Sequence, residues 1–138
     1  GPVEWILDVA HNPPAAAVLA ANLRARSCTG RTLAVAGILA DKDADGVIQA
    51  LAGVVDEWYT ATLAGPRGRT AAELRDLLNA GGHRATASNG VVNACQVARQ
   101  TARPGDRVII LGSFHTVAPA LATQPWQSQF PLPLSSET

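Results

Sequence analysis

The chain has 138 residues, 47% hydrophobic and 16% charged, which is enough for one domain with one sizeable core and too few for two. Its charged share lies below the roughly 25% typical of soluble domains, and with the ordinary hydrophobic content this excludes intrinsic disorder over most of the length. Eleven basic residues balance eleven acidic ones without a polybasic run, which argues against nucleic-acid binding through phosphate contacts.

In chain order, Glu4-Trp5-Ile6-Leu7 is a first apolar run ending at Asp8. Pro13-Pro14 then opens a helical pattern of Ala15, Val18, Leu19 and Leu23, with Asn12 where an N-cap belongs. Thr32 to Ile38 is a β-branched second run, followed by Val47, Ile48, Leu51, Val54 and Val55 at helical spacing. Trp58 to Leu63 forms a third run, and the loop 64–69 leads to Thr70-Ala71-Ala72-Glu73, which reads as a capping box. Ala71, Leu74, Leu77 and Leu78 give that helix its apolar face, and Gly81-Gly82 stops it. His83 to Ala87 is a weak fourth strand, and Val91, Cys95 and Ala98 mark the next helix. Arg107 to Leu111 reads as a buried strand and a short helix follows from His115 to about Thr123. The alternation predicts an α/β domain, a mostly parallel sheet of about five to six strands with helices on both faces.

No apolar run reaches the roughly 20 residues of a membrane span, and no signal-peptide pattern opens the chain. Cys28 and Cys95 are too few for a disulfide framework or a zinc site, so a reducing, cytoplasmic location and no bound metal are the expectation. Gly1-Pro2 reads as the remnant of a cleaved tag, 3–123 as the domain, and 124–138, rich in Gln, Pro and Ser, as an irregular tail.

Ligands of such sheets bind beyond the carboxyl ends of the strands. The unusual residues gather there: Asp8 and His11, Asp41-Lys42-Asp43, Arg67 and Arg69, Ser88-Asn89, then Ser113 and His115. Lys42 is the only lysine. The set predicts a site for a small charged ligand. Structural roles compete at each position: Asn12 and Ser113 as helix caps, Asp8 as an acceptor for loop amides, Asp41-Lys42-Asp43 as a solvated turn, and Arg67 and Arg69 as solubilising residues of a Gly-rich loop. The chain has no Gly-x-x-x-x-Gly-Lys-Ser/Thr loop, no Gly-x-Gly-x-x-Gly after the first strand and no Gly-x-Ser-x-Gly elbow. The polar edge therefore reads as half a site.

The segment Leu7-Asp8-Val9-Ala10-His11-Asn12-Pro13 resembles the opening of the C-terminal domain of bacterial bifunctional dihydrofolate synthase/folylpolyglutamate synthase, in the Mur ligase superfamily. Four further segments agree in order: Gly37 to Asp43, Val54 to Tyr59, Gly65 to Gly68, and Gly112 to Val117. The resemblance implies a Rossmann-like lid that closes over an N-terminal P-loop domain of its own chain. It implies an ATP- and Mg2+-dependent reaction in which the carboxylate of dihydropteroate or a folate is phosphorylated and then attacked by the amine of L-glutamate. Carried over by motif, Asp8 and His11 contact the nucleotide, and His11 is catalytic, near ATP and glutamate. Ser113 is associated with glutamate. Lys42 and Arg67 sit in the matching motifs, and their positive charge, rather than the resemblance, makes them candidate phosphate or carboxylate contacts. The metal ligands are expected in the absent domain, the isolated chain is expected to be inactive, and the family implies a monomer. The competing functions are a cell-wall Mur ligase of the same fold and a non-catalytic α/β module that binds a small ligand.

Overall fold

The computed structural model describes residues 2–127. Five strand–helix units follow one another: β1 (Glu4–Asp8), α1 (Pro13–Ala25), β2 (Thr32–Gly37), α2 (Ala44–Leu51), β3 (Glu57–Ala61), α3 (Ala71–Ala80), β4 (Ala85–Ser88), α4 (Val91–Thr101), β5 (Arg107–Gly112) and α5 (Phe114–Thr123). Every strand pair is parallel, and the spatial order is β1-β5-β2-β3-β4. Among the described residues the sheet thus has five strands, the lower of the two numbers expected. Of the predicted tail, residues 128–138 lie outside the described residues, as does Gly1 of the predicted tag remnant. Residues 124–127 turn back so that the Arg99 guanidinium donates to the Gln127 carbonyl at 2.8 Å.

The path of the chain decides which face each helix covers. From β1 through β2 and β3 to β4 the chain steps one way across the sheet, and α4 then carries it back to place β5 between β1 and β2. Right-handed crossovers tie the face to the direction of the step, so α1, α2 and α3 share one face and α4 lies on the other, with α5 beside it. Alternation along the central strands records both faces. Ala34, Ala36, Ile109 and Leu111 pack with Leu19, Leu23, Val47, Leu51 and Leu74, whereas Leu33, Val35, Val108 and Ile110 pack with Val91, Cys95, Ala98 and Ala120. A strand buried on both faces reads as a continuous apolar run, which is what Val108 to Leu111 is.

Strand β4 begins later than the residues His83 to Ala87 suggest. The His83 N–H closes the end of α3 on the Leu78 carbonyl at 2.9 Å, next to Gly82 at φ +86°. It is spent before the strand starts.

The amino ends of the strands are held by charge. The buried Asp106 carboxylate accepts from the Arg31 N–H at 2.7 Å, the Arg103 N–H at 2.9 Å and the Arg31 guanidinium at 3.0 Å. The buried Arg107 guanidinium donates to Thr32 Oγ1 at 2.7 Å and the Leu23 carbonyl at 3.1 Å. Pairing of this kind is what permits a guanidinium and a carboxylate inside the fold. With this pole consolidated, the carboxyl ends of the strands are left for a ligand.

Candidate functional site

Neighbouring strands β1 and β5 send their following helices to opposite faces, so a crevice opens between the starts of α1 and α5. A cleft of about 410 Å³ lies there, lined by Val9, His11, Leu39, Lys42, Arg67, Ser113 and His115. Four different strand–helix turns contribute to it. His11, Lys42, Arg67 and Ser113, the residues singled out from the sequence, come together on its wall, and His115 joins them. Asp8 ends β1 beside the cleft and is not part of its lining. Ser88-Asn89 ends β4 at the far edge of the sheet, also outside the lining.

Local chemistry fixes each of these groups. Asp8 Oδ1 accepts from the Ala10 N–H at 2.8 Å, and Oδ2 has no partner among the described residues. The His11 ring is turned so that Nδ1 sits 2.7 Å from the Val9 carbonyl. A carbonyl only accepts, so Nδ1 carries the proton, and in the neutral ring Nε2 is left as an acceptor. Asn12 caps α1 by accepting from the Ala15 N–H at 2.9 Å, with Pro13-Pro14 in the first turn. Ser113 is buried and caps α5, its Oγ accepting from the His115 N–H at 3.1 Å. The cap uses an oxygen lone pair and leaves the hydroxyl proton to donate elsewhere.

The two cations differ. Arg67 donates to Asp41 at 2.7 Å, both side chains being more than half exposed, and this bond holds the Asp41 carboxyl below its ordinary range. Lys42 forms no ion pair among the described residues and is half-buried. Asp43, read from the sequence as part of a charged turn, instead caps α2 through the Gly46 N–H at 2.9 Å. Val9 and Leu39 supply an apolar strip of wall to which the sequence reading assigned no part. Arg69 is likewise more than a solubilising residue, because its guanidinium donates to the Ala40 and Lys42 carbonyls at 3.2 and 3.1 Å.

The lining carries cations, imidazoles and a hydroxyl and no carboxylate, and two helices begin at it with their positive ends. Such a wall suits the oxygens of phosphate or carboxylate ligands. It does not suit a metal ion, and no group of three or more His, Cys, Asp or Glu residues capable of holding one occurs among the described residues. No helix among these residues is long and apolar enough to cross a membrane.

Known proteins share this fold. The family model described as "Mur ligase, glutamate ligase domain" matches residues 1–114. The dihydrofolate synthase/folylpolyglutamate synthase of Escherichia coli K12 is 46% identical over 113 residues, covering 82% of this chain and 26% of that protein. Among solved structures, E. coli FolC in complex with DHPP and ADP superposes with a TM-score of 0.81 at 43% identity, over 86% of this chain and 28% of that one. A bifunctional folylpolyglutamate synthase/dihydrofolate synthase with Mn, AMPPNP and L-glutamate bound gives a TM-score of 0.77 at 45% identity, over 87% and 28%. This chain spans about a quarter of the length of these relatives. On the match to its family model and the shared architecture of its sheet, the chain belongs to the family of Mur ligase glutamate ligase domains.

Proposed function

We propose that this domain forms one wall of the active site of an ATP-dependent ligase that joins L-glutamate to dihydropteroate and to folates through an acyl phosphate. The observation that carries the reading is the convergence of His11, Lys42 and Ser113, from three separate turns, on one cleft at the switch point of the sheet. The names of the relatives, with ADP, AMPPNP, Mn and L-glutamate bound in their structures, supply the reaction class. The triphosphate cradle and the Mg2+ ligands belong to an N-terminal P-loop domain of the same enzyme, since the cleft here offers neither.

On this reading the open Oδ2 of Asp8 accepts from ribose hydroxyls. His11 Nε2 faces the reacting groups as a proton acceptor, oriented by Val9. The Ser113 hydroxyl and the Lys42 ammonium hold carboxylates of the incoming glutamate, and Arg67 adds a weaker contact because Asp41 shares its charge. Closing this wall over the partner domain brings amine and acyl phosphate together and keeps water from the latter. The enzyme acts as a monomer in the cytoplasm.

The test is ADP formation dependent on both dihydropteroate and L-glutamate. The full-length enzyme shows it, H11A lowers turnover by about 100-fold or more with unchanged thermal stability, and the isolated 138-residue chain shows none. ADP release by the isolated chain, or full activity in both H11A and D8A, overturns the proposal.

A further inference from the structure

We infer that Arg69, which lies outside the cleft, is a positioning residue for Lys42, fixing the turn that carries this ammonium to a ligand carboxylate; the functional half of the inference rests on the reading of Lys42 above. The turn 38–43 has few bonds of its own. Within it the Lys42 N–H reaches the Leu39 carbonyl at 3.1 Å, and the Ala44 N–H the Lys42 carbonyl at 3.0 Å. What holds it in place is the loop after β3. Leu39 bridges Gly68 in antiparallel fashion, and the Ala40 N–H donates to the Arg67 carbonyl at 2.8 Å. Arg69 then reaches across with one guanidinium nitrogen to two carbonyls of the turn, those of Ala40 and Lys42.

The splint is itself stiff. Gly65 has φ +95°, Gly68 donates to its carbonyl at 3.0 Å, and a Cβ at Gly68 would stand 1.7 Å from the Leu63 carbonyl oxygen. Arg69 is not part of the cleft lining and lines a separate surface pocket with Glu73, Asp76 and Leu77, so its bonds to the turn are made outside the ligand cleft. Arg67 is different: its side chain lines the cleft and, among the described residues, its guanidinium is bonded only to the exposed Asp41. Geometry thus divides the two arginines of one loop into a contact and a brace.

The experiment pairs two readouts. In the 138-residue chain, R69Q raises amide hydrogen exchange at Ala40 and Lys42 by about tenfold while leaving the β2 and β5 amides protected. In the full-length ligase, R69Q raises KM for L-glutamate by about tenfold with kcat changed less than about threefold and KM for ATP unchanged, and R69K recovers part of the loss. K42Q raises the same KM, and R69Q adds little to it in the double variant. Unchanged exchange in R69Q overturns the brace. A glutamate KM that responds to K42Q but not to R69Q overturns its functional consequence, and a KM indifferent to K42Q overturns the underlying reading of Lys42. Uniform loss of kcat in R69Q and R69K with every KM unchanged marks a structural effect only and also overturns the inference.

Discussion

The hydroxyl of Thr116, buried in the first turns of α5, donates to the carbonyl of Gly37 at the end of β2 at 2.7 Å. Gly37 stands in register opposite Gly112, where β5 ends at φ +134°. A Cβ on Gly112 would meet the Gly37 oxygen at 2.0 Å and the Thr116 hydroxyl at 2.6 Å. Two missing side chains and one hydrogen bond therefore seat the last helix over the ends of the central strands, beneath the Ser113 cap.

T116V removes the donor and keeps the shape, leaving a buried carbonyl short of a partner. We expect a loss of about 1–3 kcal/mol, read as a lower urea midpoint at unchanged slope. G112A, which adds both a clash and a strained backbone, falls further than T116V on the same measurement.

Acid lability follows from the opposite pole. Burial alone would raise the Asp106 carboxyl, but the N–H groups of Arg103 and Arg31 and the Arg31 guanidinium outweigh it and hold it below its ordinary range. Its folded pKa is thus lower than the value near 3.9 of an unfolded aspartate. Above that value both states are ionised and the contribution to stability is complete. As pH falls the unfolded chain takes up the proton first, and the contribution declines until pH has passed through the folded pKa. Urea midpoints of the native chain should drop steeply below about pH 4, and D106N should flatten that dependence while lowering stability at neutral pH; an identical acid slope in D106N sinks the assignment.

Asn12 is tied to the first turn of α1 and does not line the cleft. N12A should lower stability by about 1 kcal/mol, and N12S or N12D should restore most of it. A melting temperature equal in N12A and the parent chain contradicts the cap.

The two thiols should separate cleanly under a thiol reagent. Cys95 is buried between α4 and the sheet, and burial pushes its pKa up to about 12. Cys28 is half-buried near the amino ends of the strands. The native chain at pH 8 should take one label, at Cys28, and a second only on unfolding, because the thiolate is the reactive form.

The order of strands and helices was legible because each apolar run or amphipathic face must be buried, and Asn12, Thr70 and Ser113 announce helix starts. Strand order was not, since periodicity carries no information on which strands pair, and the entry of β5 between β1 and β2 shows only in the fold. At the site, residue type and position after a strand were enough to gather His11, Lys42, Arg67 and Ser113. The same reasoning could not distinguish Arg67 from Arg69, two residues apart on one loop, because only the fold determines whose guanidinium meets Asp41 and whose meets backbone carbonyls. Asp43 and Arg107 were obscured differently, one by charged neighbours and one by the apolar run it begins.

The tight approach of Gly37 and Gly112 also bears on how this cleft can diversify. At the strand ends the two glycines meet backbone on backbone, with no volume to spare, whereas the groups facing the ligand hang from four separate strand–helix turns. Exchanging rim side chains could retune which anion is held while the packing of the strand ends stays untouched, so natural or laboratory variants with altered preference should carry their changes at 9, 39, 42 and 115 and spare both glycines.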